Sequence, residues 1–293
     1  MLADILQLLV AGLATGAIYT LVAIGFTLLW QTSQTINFAQ GEFVMLPAFF
    51  VLIGMKAFGL SFWPAVAAGA IVSIITLGFL FKRLMVDPMI RHGVLPLVIA
   101  TIGLAILMKE AVREFYGADA QAFPPLAAAI NVTIFGAAFA VQSLVVLAIG
   151  IAAVVALQLF LNGTRTGRCM QATAQNPTVA RLLGIPVERM IFYTFLINAA
   201  LVTLASVLIT PIYLAKFSNG DWLGLYAFIA AIIGGFNQVR GAIVGGLLLG
   251  VIDNFAAAYL SSQYRMAIPL LILIVVILFR PQGLLGRIEE RTV

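Results

Sequence analysis

Gly163-Thr-Arg-Thr-Gly-Arg-Cys-Met-Gln-Ala-Thr-Ala-Gln-Asn-Pro-Thr-Val-Ala-Arg-Leu-Leu-Gly-Ile-Pro186 is a polar, arginine-containing island between two long apolar segments, Ala140 to Leu161 and Met190 to Leu214. Polar side chains and arginines are costly in a bilayer core, so the island has to lie outside it. Asn176 is a good N-cap, Pro177 suits the first helical position and Gly184 suits the left-handed residue after a helix, which predicts a short helix from Pro177 to Leu183. Val179, Leu182 and Leu183 then share an apolar stripe, with Ala180 between them, while Arg181 stays in water. Two readings fit: a surface for another protein's groove, or an ordinary ordered cytoplasmic loop.

Hydrophobic residues make up 63% of the 293 positions and charged residues 9%, against about half and about a quarter in soluble domains. Apolar runs recur along the whole chain without a long polar region between them, so the expected fold is all-α. It is a polytopic membrane bundle of about 8–10 spanning helices in one domain, 1–293, with the island 163–189 as a cytoplasmic loop. The formal charge of +5 sits in short loops rather than along one soluble face, which speaks against nucleic acid. Cys169 and His92 stand alone of their kinds, so disulfides, Cys/His metal sites and histidine-paired nucleophiles have no raw material.

From the N-terminus, Asp4 is present but no Lys or Arg precedes Lys56, so the basic region of a cleaved signal is missing and residues 5 to 30 read as a retained helix. That segment is longer than one span needs and contains Gly12, Gly16 and Gly25, which leaves a tilt or a local break open; Gly12 and Gly16 form a small-xxx-small pair. Gln31 to Glu42 is polar and free of Lys and Arg, a composition suited either to lining a cavity or to capping and turning. Further spans are expected up to Phe58, then Phe62 to Val86, Val94 to Val112, Ala140 to Leu161, Met190 to Leu214, Trp222 to Phe236, Ala242 to Leu260 and Met266 to Phe279. Between them, residues 113 to 139 read as an outer loop with a small hairpin around Val132 to Phe135. Trp222 to Phe236 is short and followed by glycines, as in segments that pack tightly or stop part-way across.

With nine spans and the island inside, the inner basic residues are Lys82, Arg83, Arg91, Arg165, Arg168, Arg181, Arg189, Arg240, Arg280, Arg287 and Arg291. The outer ones are Lys56, Lys109, Arg113, Lys216 and Arg265, so the bias is 11 to 5 in the direction of the positive-inside rule. Two buried-polar positions stand out. Asp253, with Asn254, falls deep in an apolar segment, where an acid costs about 3 kcal/mol and therefore faces protein or water. Asn198 is similar, and each has two readings: contact with a solute or a hydrogen bond to a neighbouring helix. Asn37, Gln40 and Glu42 join them as candidates for a translocation path. No G-x-x-x-x-G-K-[ST] and no G-x-S-x-G occurs, so neither ATP hydrolysis nor serine chemistry is expected from this chain, and an enzyme is disfavoured.

Four motifs in order resemble the LivH-type permease of ATP-binding-cassette importers for branched-chain amino acids, over nearly the whole chain. Ile36-Asn-Phe-Ala-Gln-Gly-Glu42 is similar to the family's I-N-F-A-H-G-E, with Gln40 replacing the usual histidine. Gly167-Arg168-Cys-Met-Gln-Ala172 followed by Ala180-Arg-Leu-Leu-Gly-Ile185 resembles its ATPase-contacting loop. Gly234 to Gly246 resembles its glycine-rich signature and Pro281-Gln-Gly-Leu-Leu-Gly286 its C-terminal ending. The resemblance implies a multi-pass subunit of the bacterial inner membrane, in contact with lipid and without a cofactor of its own. It implies a second permease of the LivM type, two ATPase subunits that hold ATP and Mg, and a periplasmic solute-binding protein. The solute class it favours is branched-chain or similar amino acids, with other small organic solutes as alternatives. A channel, an ion-driven secondary transporter and a structural scaffold are the rivals; Asn176-Pro177-Thr178 is only a single faint match to the paired N-P-A of aquaporins.

Overall fold

The computed structural model describes residues 2–127, 130–134, 137–260 and 266–286. Phe135, Arg265, Arg287 and Arg291, used above, lie outside the described residues. Each apolar segment forms a helix. α1 (Leu2–Ser33) and α2 (Gln40–Ala57) come first. α3 (Phe62–Ser73) continues through the π-type turns Ile74–Leu80 and Lys82–Val86 into the short α4 (Asp87–Met89). α5 (Val94–Tyr116) leads to a hairpin of β1 (Asn131–Ile134) and β2 (Ala137–Ala140), antiparallel with Asn131 opposite Ala140. α6 (Val141–Gly163), α7 (Arg165–Gln175), α8 (Pro177–Leu182) and α9 (Val187–Tyr213) follow, then α10 (Asn219–Gly234), α11 (Val239–Tyr259) and α12 (Ala267–Phe279).

Seven helices among the described residues are long and apolar enough to cross a membrane. α10 and α12, with 16 and 13 residues, fall short of the roughly 20 that a full crossing takes. α1 is unbroken over 32 residues. It is apolar all round, so no face of it has to meet water, and Ile18, Tyr19, Leu21, Val22, Ala23 and Ile24 are completely buried at the centre of the bundle.

Small residues bring the neighbours close. Within lipid there is no hydrophobic gain between helices, so association rests on tight packing. A Cβ on Gly12 or Gly16 would overlap the backbone of α11 near Val251 and Leu247, and one on Gly250 would overlap Gly16. The pair legible in the sequence is therefore one side of the α1–α11 contact. At the end of the chain, Gly283 has φ +80° and its NH-bearing turn lies against Gly235. Leu284 and Leu285 N–H donate to the carbonyls of Ile233 and Gly234 at 2.8 and 2.9 Å. The C-terminal segment thus supplies donors to the last turn of α10, where helix carbonyls lack partners of their own.

Lys82, expected at an inner helix end, is buried inside the π-type stretch and pairs with Asp87 at 2.7 Å. Turns closed by i→i+5 bonds bring residues five apart into line, which ordinary α geometry does not.

Candidate functional site

The island folds as a compact unit. Thr164 Oγ1 accepts from Gly167 N–H at 2.9 Å, capping α7, and any side chain at Gly167 would run into the end of α6. Asn176 Oδ1 accepts from the N–H groups of Thr178 and Val179, both at 3.0 Å, which starts α8 with Pro177 in its first turn. At the far end Gly184, φ +79°, donates to Arg181 O, and Ile185 donates to Ala180 O, each at 3.0 Å. This paired closure ends α8 at Leu182, one residue earlier than the sequence predicts, because Leu183 serves as the cap. Ala180 points inward, whereas Val179, Leu182 and Leu183 are 47%, 82% and 73% exposed. Arg181 reaches Glu188 at 3.0 Å on the surface, and Arg168 is exposed on α7. α8 therefore presents three apolar side chains to the outside of a polar loop.

Beside it opens a cavity of about 510 Å³ among the ends of α1, α6, α7 and α11. Its polar lining is mostly amide: Gln31, Gln34, Gln158, Asn162, Gln171 and Gln175, with Arg240 as its one charged member. Gln171 donates to Asn162 Oδ1 at 2.9 Å, and Gln31 to Asn237 O.

The polar run after α1 turns back into the bundle. Gln34 takes φ +52°, Asn37 Oδ1 accepts from Ala39 N–H at 3.0 Å, and Phe38 N–H donates to Thr101 Oγ1 at 3.3 Å. α2 then opens with Gln40, whose amide pairs reciprocally with that of Asn198: Gln40 Nε2 donates at 2.7 Å and Asn198 Nδ2 returns a bond at 3.1 Å. Asn198 stands 11 residues beyond Val187 in α9, about 16 Å along the helix axis. α2 thus begins at membrane depth, and its irregular approach is covered by protein, with Thr35 and Asn37 buried. Gly25 of α1 leaves the space that the amide pair fills.

A consequence can be measured by thermal unfolding in detergent. Asn198→Leu strands the buried Gln40 amide and is expected to cost about 1–3 kcal/mol, whereas the double change Gln40→Leu, Asn198→Leu loses less because neither polar group is left. Equal or additive losses would contradict the pairing.

Glu42 is also buried, and its Oε2 has no hydrogen-bond partner among the described residues. Its carboxyl lies against Gly220, and Gly41 packs on Gly220 and Gly224, so the first turns of α2 and α10 meet. Near them Lys109 of α5 pairs with Asp221 of α10 at 2.6 Å. Asp253 belongs to a different group. It is fully buried and accepts from Tyr19 Oη of α1 at 3.1 Å, the neighbouring-helix bond that its position in the sequence left open. Tyr19 is held by the rings of Trp222 and Tyr226, with centroids 6.4 and 5.3 Å away. Asn254 Nδ2 donates to Gly250 O of its own helix at 3.0 Å.

The structure thus gathers Asn37, Gln40 and Asn198 at the start of α2, places Glu42 against α10, and sets Asp253 between α1 and α11, with Asn254 bonded within α11. Sequence reasoning missed the Lys109–Asp221 pair. Lys109 reads as an outer charge beside Glu110 and Arg113, Asp221 as a helix-start acid, and 112 positions separate them. Among the described residues no group of three or more His, Cys, Asp or Glu is placed to hold a metal.

Comparison with known proteins adds the following. Residues 8–277 match the family model described as "Branched-chain amino acid transport system / permease component". The chain is 33% identical to the high-affinity branched-chain amino acid transport permease LivH of Salmonella typhimurium, over 98% of this chain and 97% of the relative. It is 33% identical to BraD of Pseudomonas aeruginosa, over 98% of each, and 28% identical to a probable LivH of Methanocaldococcus jannaschii, over 91% of this chain and 88% of that one. No solved structure matches it.

Proposed function

Because the chain belongs to the family of permease components of branched-chain amino acid transport systems, we propose that it is one half of an importer's membrane channel, moving branched-chain amino acids inward on energy supplied by other subunits. The observation that carries this reading is α8, a capped helix that holds Val179, Leu182 and Leu183 outward on a polar loop. In the proposal that stripe docks in a groove of an ATPase subunit, with Gly167, Arg168 and Pro177 to Gly184 forming the contact region. The absence of a P-loop in the sequence supports the same division of labour.

The chain acts here as one permease domain, 1–293, in the bacterial inner membrane. A second, LivM-type permease closes the channel, two ATPases with ATP and Mg drive it, and a periplasmic protein delivers the solute. For nucleotide to change the channel, the docked α8 must contact the two ATPase states differently; equal contact in both would transmit nothing. The solute class follows the names of the relatives, and the amide-lined cavity beside α8 suits it as an inner exit, since amides offer donors and acceptors to both ends of a zwitterion.

The test is uptake of labelled leucine, isoleucine and valine into proteoliposomes holding the purified complex, with the binding protein outside and ATP inside. Uptake that requires ATP and all subunits is expected. Uptake by the chain alone, driven by an ion gradient or by the solute's own gradient, would overturn the importer reading in favour of a secondary transporter or a channel.

A further inference from the structure

The Lys109–Asp221 pair sits where a lipid-facing surface would not tolerate it. Asp221 lies 13 residues before Gly234, the inner end of α10, and Lys109 lies 15 residues after Val94, the inner end of α5. At 1.5 Å per residue both are about 20–22 Å above those ends, so with the ends at the inner boundary they fall inside a hydrocarbon layer about 30 Å thick. The side chains of Lys109 and Asp221 are nevertheless 27% and 52% exposed. Arg113, one turn further out, lies over the Phe217 ring at 5.7 Å and marks the outer rim. Charges at such depth face protein or a water-filled passage.

Two more features point to a ligand there. Glu42 Oε2, buried and without a partner among the described residues, is directed at the first turn of α10 through the gap left by Gly220. Below the charges, the same face of α10 carries Leu225, 37% exposed, and Phe228, whose ring meets that of Phe38 at 6.3 Å; Phe38 is 45% exposed. Residues four and seven positions along from Asp221 lie on one side of the helix.

We propose that Lys109 and Asp221, with Glu42 behind them and Leu225, Phe228 and Phe38 beneath, form the site on this subunit that receives an α-amino acid. The solute's carboxylate goes to Lys109, its ammonium to Asp221 in front of the buried Glu42 carboxyl, and its aliphatic side chain lies along Leu225 and Phe38. The assignment rests on the importer reading above and locates the passage along α5 and α10, with the start of α2 behind it. Opposite charges only 2.6 Å apart hold each other until a zwitterion replaces both contacts.

Leucine uptake by the complete complex in proteoliposomes tests this. Lys109→Gln and Asp221→Asn are each expected to lower it roughly tenfold or more, the scale of one lost charged hydrogen bond, with Lys109→Arg retaining more activity and all variants co-purifying with their partners. In parallel, Leu225→Cys combined with Cys169→Ser is treated with a membrane-impermeant methanethiosulfonate reagent. Labelling that leucine slows is expected. Unchanged uptake in Lys109→Gln, or a cysteine at 225 that does not react in a transporting complex, overturns the site. If the wild-type complex carries none of the branched-chain amino acids, the importer's solute class fails instead.

Discussion

Leu182→Asp is expected to abolish ATP-driven uptake while leaving the membrane bundle folded. Leu182 is 82% exposed on α8, so its loss removes little internal contact of this chain. In the docked complex the same position would put an unpaired carboxylate into an apolar groove, at a cost of about 2 kcal/mol or more. That corresponds to roughly 30-fold in docking affinity. The expected result is a variant that elutes from a sizing column as wild type does but brings down little ATPase, or brings it down with hydrolysis no longer linked to transport. Wild-type uptake from Leu182→Asp would remove α8 from the coupling role. Leu183→Asp, at a position 73% exposed on the same stripe, should behave in the same way.

Gly250→Leu is expected to have the opposite signature: loss of the bundle itself. Any side chain at 250 meets the backbone of Gly16 and Gly12, so α1 and α11 must separate, and with them the Tyr19–Asp253 bond. Overpacking by a few methylenes costs about 1–3 kcal/mol where the core can relax, but two backbones in contact cannot relax without the helices moving apart. The monodisperse peak in detergent should collapse to aggregate, with no recovery on adding partner subunits. Gly103→Ala is the control, since Gly103 of α5 has open space around it and should give a wild-type profile. A monodisperse Gly250→Leu would mean that the α1–α11 contact is not what sets the spacing of the bundle.

Much of this was legible in the chain before the fold was known, for particular reasons. The island declares itself because Asn176, Pro177 and Gly184 each act on the two or three residues beside them, so cap chemistry alone fixes α8 to within one residue. Gly12 and Gly16 were legible as half of an interface, yet the other half, Gly246 and Gly250, lies more than two hundred positions away and no local signal connects the two. The same limit hid the amide pair: Gln40 and Asn198 are both conspicuous as polar residues near apolar chain, but their reciprocal bonds span 158 positions. Asp253 was conspicuous for its cost, and its Tyr19 partner was not, because a tyrosine inside an apolar helix looks like any other core aromatic. The depth of α2 was out of reach as well. A polar run that loops outside the membrane and one that folds back into it have the same composition, and only the contacts with α9 and α5 distinguish them.

The central claim is that this chain is a dependent half-channel, and affinity purification of the tagged chain from its native membrane in mild detergent tests it most directly. Two ATP-binding subunits and a second permease should co-purify in fixed ratio, and that assembly should hydrolyse ATP faster when the solute-loaded binding protein is added. A chain that purifies alone, and in that state still moves leucine across a reconstituted membrane, would contradict the account.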